Sequence, residues 1–126
     1  MRSRIHRFTL PLALTAASLT GASALAHHSF AMFDQSKELE LHGAVREFQW
    51  TNPHVWIEIQ VREADGQSRQ WSIEASSPNN LRRRGWTATS LKPGDAVTAR
   101  IHPLRSGSPG GSLLQITTAN GTQLVN

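Results

Sequence analysis

Two adjacent histidines, His27 and His28, follow a run of small residues that ends in Ala24-Leu25-Ala26. A cut after Ala26 gives His27 a free α-amine, and the amine and Nδ1 of one residue can close a chelate ring on a metal ion. Imidazole and amine nitrogens suit Cu(II), Ni(II) and Zn(II), with copper favoured by the general order of affinities. Two residues do not complete a coordination sphere, so the fold must bring further ligands. His54 and His102 are the leading candidates, with His42 behind them and Met32 as a soft contact. A second constellation is Trp50-Thr51-Asn52-Pro53-His54-Val55-Trp56. Asn52-Pro53 is a turn signal, and strand alternation puts His54 and Trp56 on one face, opposite Val55 and Ile57. With Asn52, Trp50 and Trp86, this segment offers a platform for a protein partner or a glycan. Each reading has a plainer alternative. The histidines can begin a solvated tail, and the tryptophans can simply be packed, as tryptophan usually is.

The absences narrow the chemistry. A chain of 126 residues without cysteine forms no disulfide, thiolate metal cluster or cysteine nucleophile. It carries no Gly-x-Ser-x-Gly, Walker loop or His-Glu-x-x-His. Glu58 and Glu74 fall on outward strand positions, where solvation accounts for them. A binding protein is therefore expected rather than an enzyme, a small copper oxidant with a histidine brace being the enzymatic alternative. The net charge of +4 comes from 13 Lys+Arg against 9 Asp+Glu. Arg2, Arg4 and Arg7 precede the uncharged stretch Phe8 to Ala26, the pattern of a cleaved export signal. That stretch is barely long enough to span a membrane and is rich in Ser and Thr. Removing it takes three of the 13 basic residues and leaves ten against nine, a net of +1. The expected destination is the periplasm, with no membrane span after cleavage. Arg82-Arg83-Arg84 before Trp86 imitates the basic and aromatic pattern of single-strand binders. Cations in a last helical turn are explained by the helix dipole, and nucleic acid is not expected as a partner.

The elements that must position these residues are mostly strands. Period-2 alternation marks Glu38–Arg46, His54–Arg62 and Trp71–Ala75, with a hairpin turn at Ala64-Asp65-Gly66-Gln67. Gly43 in mid-strand predicts a bulge or sharp bend. Ser77-Pro78 starts a short helix over Asn79–Arg84 that Gly85 ends. A fourth strand carries Val97, Ala99 and Ile101, and a fifth runs Leu113–Thr118 after a Ser/Gly/Pro-rich loop at 106–112. Asn120-Gly121 turns the chain back to Thr122–Val125. Three meander strands, a helix and two more strands is the order of an all-β, five-stranded OB-fold-like Greek-key barrel. The domain division is a signal peptide at 1–26, an N-terminal arm at 27–36 and a single barrel domain at 37–126.

The segments His27-His28-Ser29-Phe30-Ala31-Met32-Phe33-Asp34, Trp50 to Trp56, Ser77-Pro78-Asn79, Arg83-Arg84-Gly85-Trp86 and Leu91-Lys92-Pro93-Gly94-Asp95 carry a family resemblance. The chain resembles small exported bacterial proteins grouped as domain of unknown function family 6152. The resemblance implies a periplasmic single-domain protein and brings no catalytic residue with it.

Overall fold

The computed structural model describes residues 30–126. The expected export signal, His27 and His28 lie outside the described residues. The strands are β1 (Leu39–Gln49), β2 (Trp56–Arg62), β3 (Ser68–Glu74), β4 (Ala96–Pro103), β5 (Gly110–Thr118) and β6 (Gln123–Val125), with helix α1 (Pro78–Arg83) between β3 and β4. They hydrogen-bond in the order β3-β2-β1-β4-β5-β6, and β3 pairs a second time, in parallel, with β5. That extra pairing closes the first five strands into an OB-fold-like barrel, as the element order implies.

β1 serves two neighbours. Its first half, Leu39–Ala44, runs against Ile101–Ala96 of β4, and its second half, Gly43–Gln49, runs against Val61–Trp56 of β2. Gly43 sits where the two ladders overlap, and a Cβ there would stand 2.4 Å from the Gln60 carbonyl oxygen. The bulge expected at Gly43 falls instead between Val45 and Glu47. Glycine is required at 43 for close approach rather than for a kink. In β2 the alternation holds: Ile57, Ile59 and Val61 are buried, while Trp56, Glu58 and Gln60 are only partly covered. Leu39, at the start of β1, lies beyond the packed interior and is exposed.

The core gathers inward residues of all five barrel strands with Leu81 and Trp86 from the helical segment. Ser77 caps α1 by accepting a hydrogen bond from the Asn80 amide at 3.3 Å, and Pro78 occupies the first turn, where its missing N–H costs nothing. Gly85 then adopts φ +88°, which turns the chain back toward the core. The loop expected at 106–112 ends earlier than its composition suggests. Its last three residues begin β5 and make the parallel closure, Ser72 beside Gly110, Ile73 beside Gly111 and Glu74 beside Ser112. A Cβ at Gly111 would stand 2.4 Å from the His102 carbonyl oxygen. Glycines contribute no side chain to an alternation, so strand and loop read alike there.

From Phe30 onward the arm is clamped. Phe33 is buried and bridges Leu104. The Asp34 amide donates to the Pro103 carbonyl at 2.8 Å, and the Arg105 amide donates to the Met32 carbonyl at 2.9 Å. Arg105 Nε donates to the Ala31 carbonyl at 3.1 Å. The arm therefore covers the β4–β5 connection in a fixed position.

Candidate functional site

His54 stands just before β2, in a turn whose Asn52–Pro53 peptide is cis. The turn is held by Thr51 Oγ1 donating to the His54 carbonyl at 3.1 Å. On the other side, the Val55 amide donates to Ser76 and the Ala75 amide to Val55. These bonds aim the imidazole at β3, where its Nδ1 lies 2.5 Å from Glu74 Oε1. The His54 side chain is 37% exposed and the Glu74 side chain only 12%. A carboxylate accepts, so Nδ1 is the donor of this contact and Nε2 is the ring nitrogen it does not engage. Carboxylate–histidine pairs of this kind fix the tautomer and orientation of metal-ligating imidazoles.

Glu74 separates two clefts. One, of about 150 Å³, is lined by Phe30, Phe33, His54, Glu74 and Asn80 among others. The other, of about 200 Å³, is lined by Met32, Phe33, Trp56, Glu74 and Leu104 among others. Phe33 and Glu74 border both. Phe30 thus shares a cleft with His54 and Glu74. The surrounding outer face of β2 and β3 carries Glu58 and Glu74, with Arg62 at its far end and neutral Gln60, Gln70 and Ser72 between. Glu58 accepts from Ser72 Oγ at 2.6 Å and from Gln70 Nε2 at 3.1 Å.

The sequence candidates divide accordingly. All of His54, Trp56 and Met32 border Glu74, His54 from one cleft and Trp56 and Met32 from the other. His102 does not join them: it lies on β4, where its Nδ1 is 2.8 Å from the Lys37 carbonyl. His42 occupies a separate depression on β1, with Nε2 3.2 Å from Glu40 and Nδ1 3.1 Å from Thr98. Among the described residues, no three His, Asp or Glu side chains gather closely enough to hold a metal ion. The expected platform shrinks to Trp56. Trp86 is 1% exposed and its Nε1 donates to the Val125 carbonyl at 2.9 Å, so it is a core residue that fastens β6. Trp50 packs on Phe48 at 5.7 Å beneath the Arg82 guanidinium, 5.6 Å from its ring centre. Asn52 is exposed in the turn.

Glu74 is the residue that strand alternation alone misses. The signal lay in hairpin register: a turn centred on Asp65 pairs residues equally distant on either side, which sets Trp56 opposite Glu74.

Fold and site together define a small OB-fold-like barrel that carries a histidine–carboxylate pair on its outer face. The chain belongs to a family of unknown function, DUF6152, whose model matches residues 15–114. No curated protein matches it. Among solved structures it is similar to a mitochondrial single-stranded DNA binding protein of S. cerevisiae, Rim1. One crystal form matches at 13% identity and a TM-score of 0.49, covering 68% of this chain and 97% of that one. Another matches at 12% identity and 0.49, covering 66% and 92%. At these identities no ligand is carried from them to this chain. Among the described residues, no helix is long and apolar enough to cross a membrane.

Proposed function

We propose that the exported, processed chain is a periplasmic binding protein for a divalent metal, with Cu(II) the favoured ion. The α-amine and Nδ1 of His27 chelate the ion, His28 offers a second imidazole, and His54 Nε2 supplies the ligand from the barrel. Glu74 is a positioning residue that holds the His54 ring. The observation that carries this reading is the His54–Glu74 pair lining the same cleft as Phe30 of the arm. Three peptide steps separate His27 from Phe30, about 10 Å at full extension, so the chain can deliver its first residue to that cleft. Nucleic acid is not proposed as a partner, and no catalytic step is assigned.

The test uses protein whose first residue is confirmed as His27 by mass spectrometry. Cu(II) affinity is measured by calorimetry against a competing chelator for the processed chain, an Ala-extended chain and His54→Ala. The extension converts the amine to an amide, and His54→Ala removes a ligand, so each should weaken binding by about 10-fold or more, the Ala-extended chain keeping its melting temperature. Equal affinities across all three would show that His27 and His54 do not form one site. A second reading takes Trp56 as an anchor for a protein partner or glycan, favoured by its partly open position on the 200 Å³ cleft. Acrylamide quenching of Trp56 decides whether that ring is accessible.

A further inference from the structure

We propose that the connection between β3 and β4, which carries α1, is a docking surface for an anionic lipid bilayer. The proposal is independent of the metal reading. Residues 75–94 hold Arg82, Arg83, Arg84 and Lys92 and no Asp or Glu, a local charge of +4. From His27 onward, the rest of the chain has six basic residues against nine acidic ones, a charge of −3. The small net charge of the processed chain therefore hides a polarised molecule. Lys37, Arg69, Arg100 and Arg105 pair with carboxylates. Among the described residues, Arg82, Arg83, Arg84 and Lys92 have no carboxylate partner, and all four are exposed. The contacts of the first two are with neutral groups. Arg82 Nη1 donates to Asn79 Oδ1 at 3.2 Å, its guanidinium lies 5.6 Å from the Trp50 ring centre, and Arg83 Nη2 donates to Asn80 Oδ1. These contacts orient the guanidiniums and leave their charge intact. The dipole of α1 favours a cation in its last turn, but it gives no reason for the absence of carboxylates from all of 75–94. The segment is firmly seated, because Leu81, Trp86 and Leu91 are buried in the barrel core. A protein interface draws its affinity from buried aromatic and apolar anchors, and none of the exposed large apolar side chains falls within 75–94. A bilayer of anionic headgroups requires no such anchor. It presents many phosphates, which match guanidinium geometry, and its attraction grows with each cation brought near the surface.

The test uses the chain that begins at His27, so that Arg2, Arg4 and Arg7 contribute nothing, and this chain contains every strand and the helix of the barrel. Its partition is read by co-sedimentation at low salt with two kinds of vesicle. One is equal parts phosphatidylglycerol and phosphatidylcholine, and the other is phosphatidylcholine alone. Wild type should bind the anionic vesicles, ignore the neutral ones and dissociate as salt is raised. Each cation near an anionic surface strengthens binding by about 5-fold, so joint replacement Arg82→Gln, Arg83→Gln and Arg84→Gln should lower partition by about 100-fold. Lys92→Gln alone should lower it by about 5-fold. A control with Lys37→Gln, Arg69→Gln and Arg100→Gln removes the same charge from other faces and should bind within a few-fold of wild type. Melting temperatures confirm that each variant is folded. Equal losses in the two triple variants would show that net charge alone acts, and would overturn the proposal. Failure of wild type to bind the anionic vesicles, or equal binding to the neutral ones, also overturns it. Binding to soluble polyglutamate without partition onto vesicles would assign the surface to an acidic protein instead and refute the lipid reading.

Discussion

Replacing Phe33 with alanine should release the arm while leaving the barrel folded. Phe33 is 4% exposed yet stands apart from the cluster of side chains that fills the barrel. A buried aromatic ring removes about 150–250 Å² from water, and truncating it costs about 3–5 kcal/mol. The other attachments of the arm are three hydrogen bonds, at 2.8, 2.9 and 3.1 Å, each contributing about 1 kcal/mol net, and an exposed Arg105–Asp34 ion pair at 3.9 Å that adds little. Against them stands the entropy of ordering Phe30 to Asp34, about 1–2 kcal/mol per residue. With Phe33 the two sides nearly balance in favour of docking. Without it the hydrogen bonds alone fall short by several kcal/mol, and the arm opens. Amide hydrogen exchange reads this directly. Protection at Asp34 and Arg105 should collapse in Phe33→Ala, while Ile57 and Ile73 in the barrel keep theirs. Cu(II) affinity should fall as well, because the arm no longer delivers His27 to His54. Retained protection at Arg105, or an equal loss at Ile57, would refute the view of Phe33 as a local latch.

Two further outcomes are expected. Gly111→Ala places a methyl 2.4 Å from the His102 carbonyl oxygen and 2.7 Å from Ile101 Cδ1, so the urea midpoint should drop by the equivalent of about 1–3 kcal/mol. Ser112→Ala, one residue on, should stay within about 0.5 kcal/mol as a surface change. The Ser36 hydroxyl hydrogen-bonded to Asp34 holds that carboxyl below the usual carboxylate range, partly opposed by desolvation and aided by Lys37. A depressed folded pKa contributes stability that is complete above the unfolded pKa and is lost as pH falls through the folded one. Arm protection should therefore weaken in acid below the ordinary carboxylate range, and Asp34→Asn should remove that acid-dependent component. Unchanged acid sensitivity in Asp34→Asn would assign it to another group.

Much of the barrel is written in local pattern. Val55, Ile57, Ile59 and Val61 alternate cleanly, Ser77-Pro78 and Gly85 punctuate α1, and Asp65-Gly66 and Asn120-Gly121 mark their turns. What local pattern does not carry is proximity between strands distant in sequence. Gly110 and Gly111 look like loop residues because the reason for them is the backbone of other strands. Trp86 looks like a surface aromatic beside three arginines, but its ring sits in the core and its N–H meets the Val125 carbonyl. At the site, His54, Met32 and Trp56 are recognisable by type alone. The grouping of His102 with His54 fails because His102 is held on β4 by Lys37, and Glu74 emerges only once β2 and β3 are in register.

The two non-consecutive strand pairings of the barrel are unequal. One joins Leu39–Ala44 to Ile101–Ala96, whereas the other joins only Ser72–Glu74 to Gly110–Ser112. Mechanically the molecule is two three-stranded leaves, β1-β2-β3 and β4-β5-β6, stitched along one long seam and one short one. Thermal breathing or an applied load will part the short seam first, swinging the leaves about the β1–β4 line. Glu74 sits at the end of that short seam, with the Phe33–Leu104 bridge beside it. Whatever spans from the arm to His54 and Glu74 therefore acts as a rivet across the joint most ready to open.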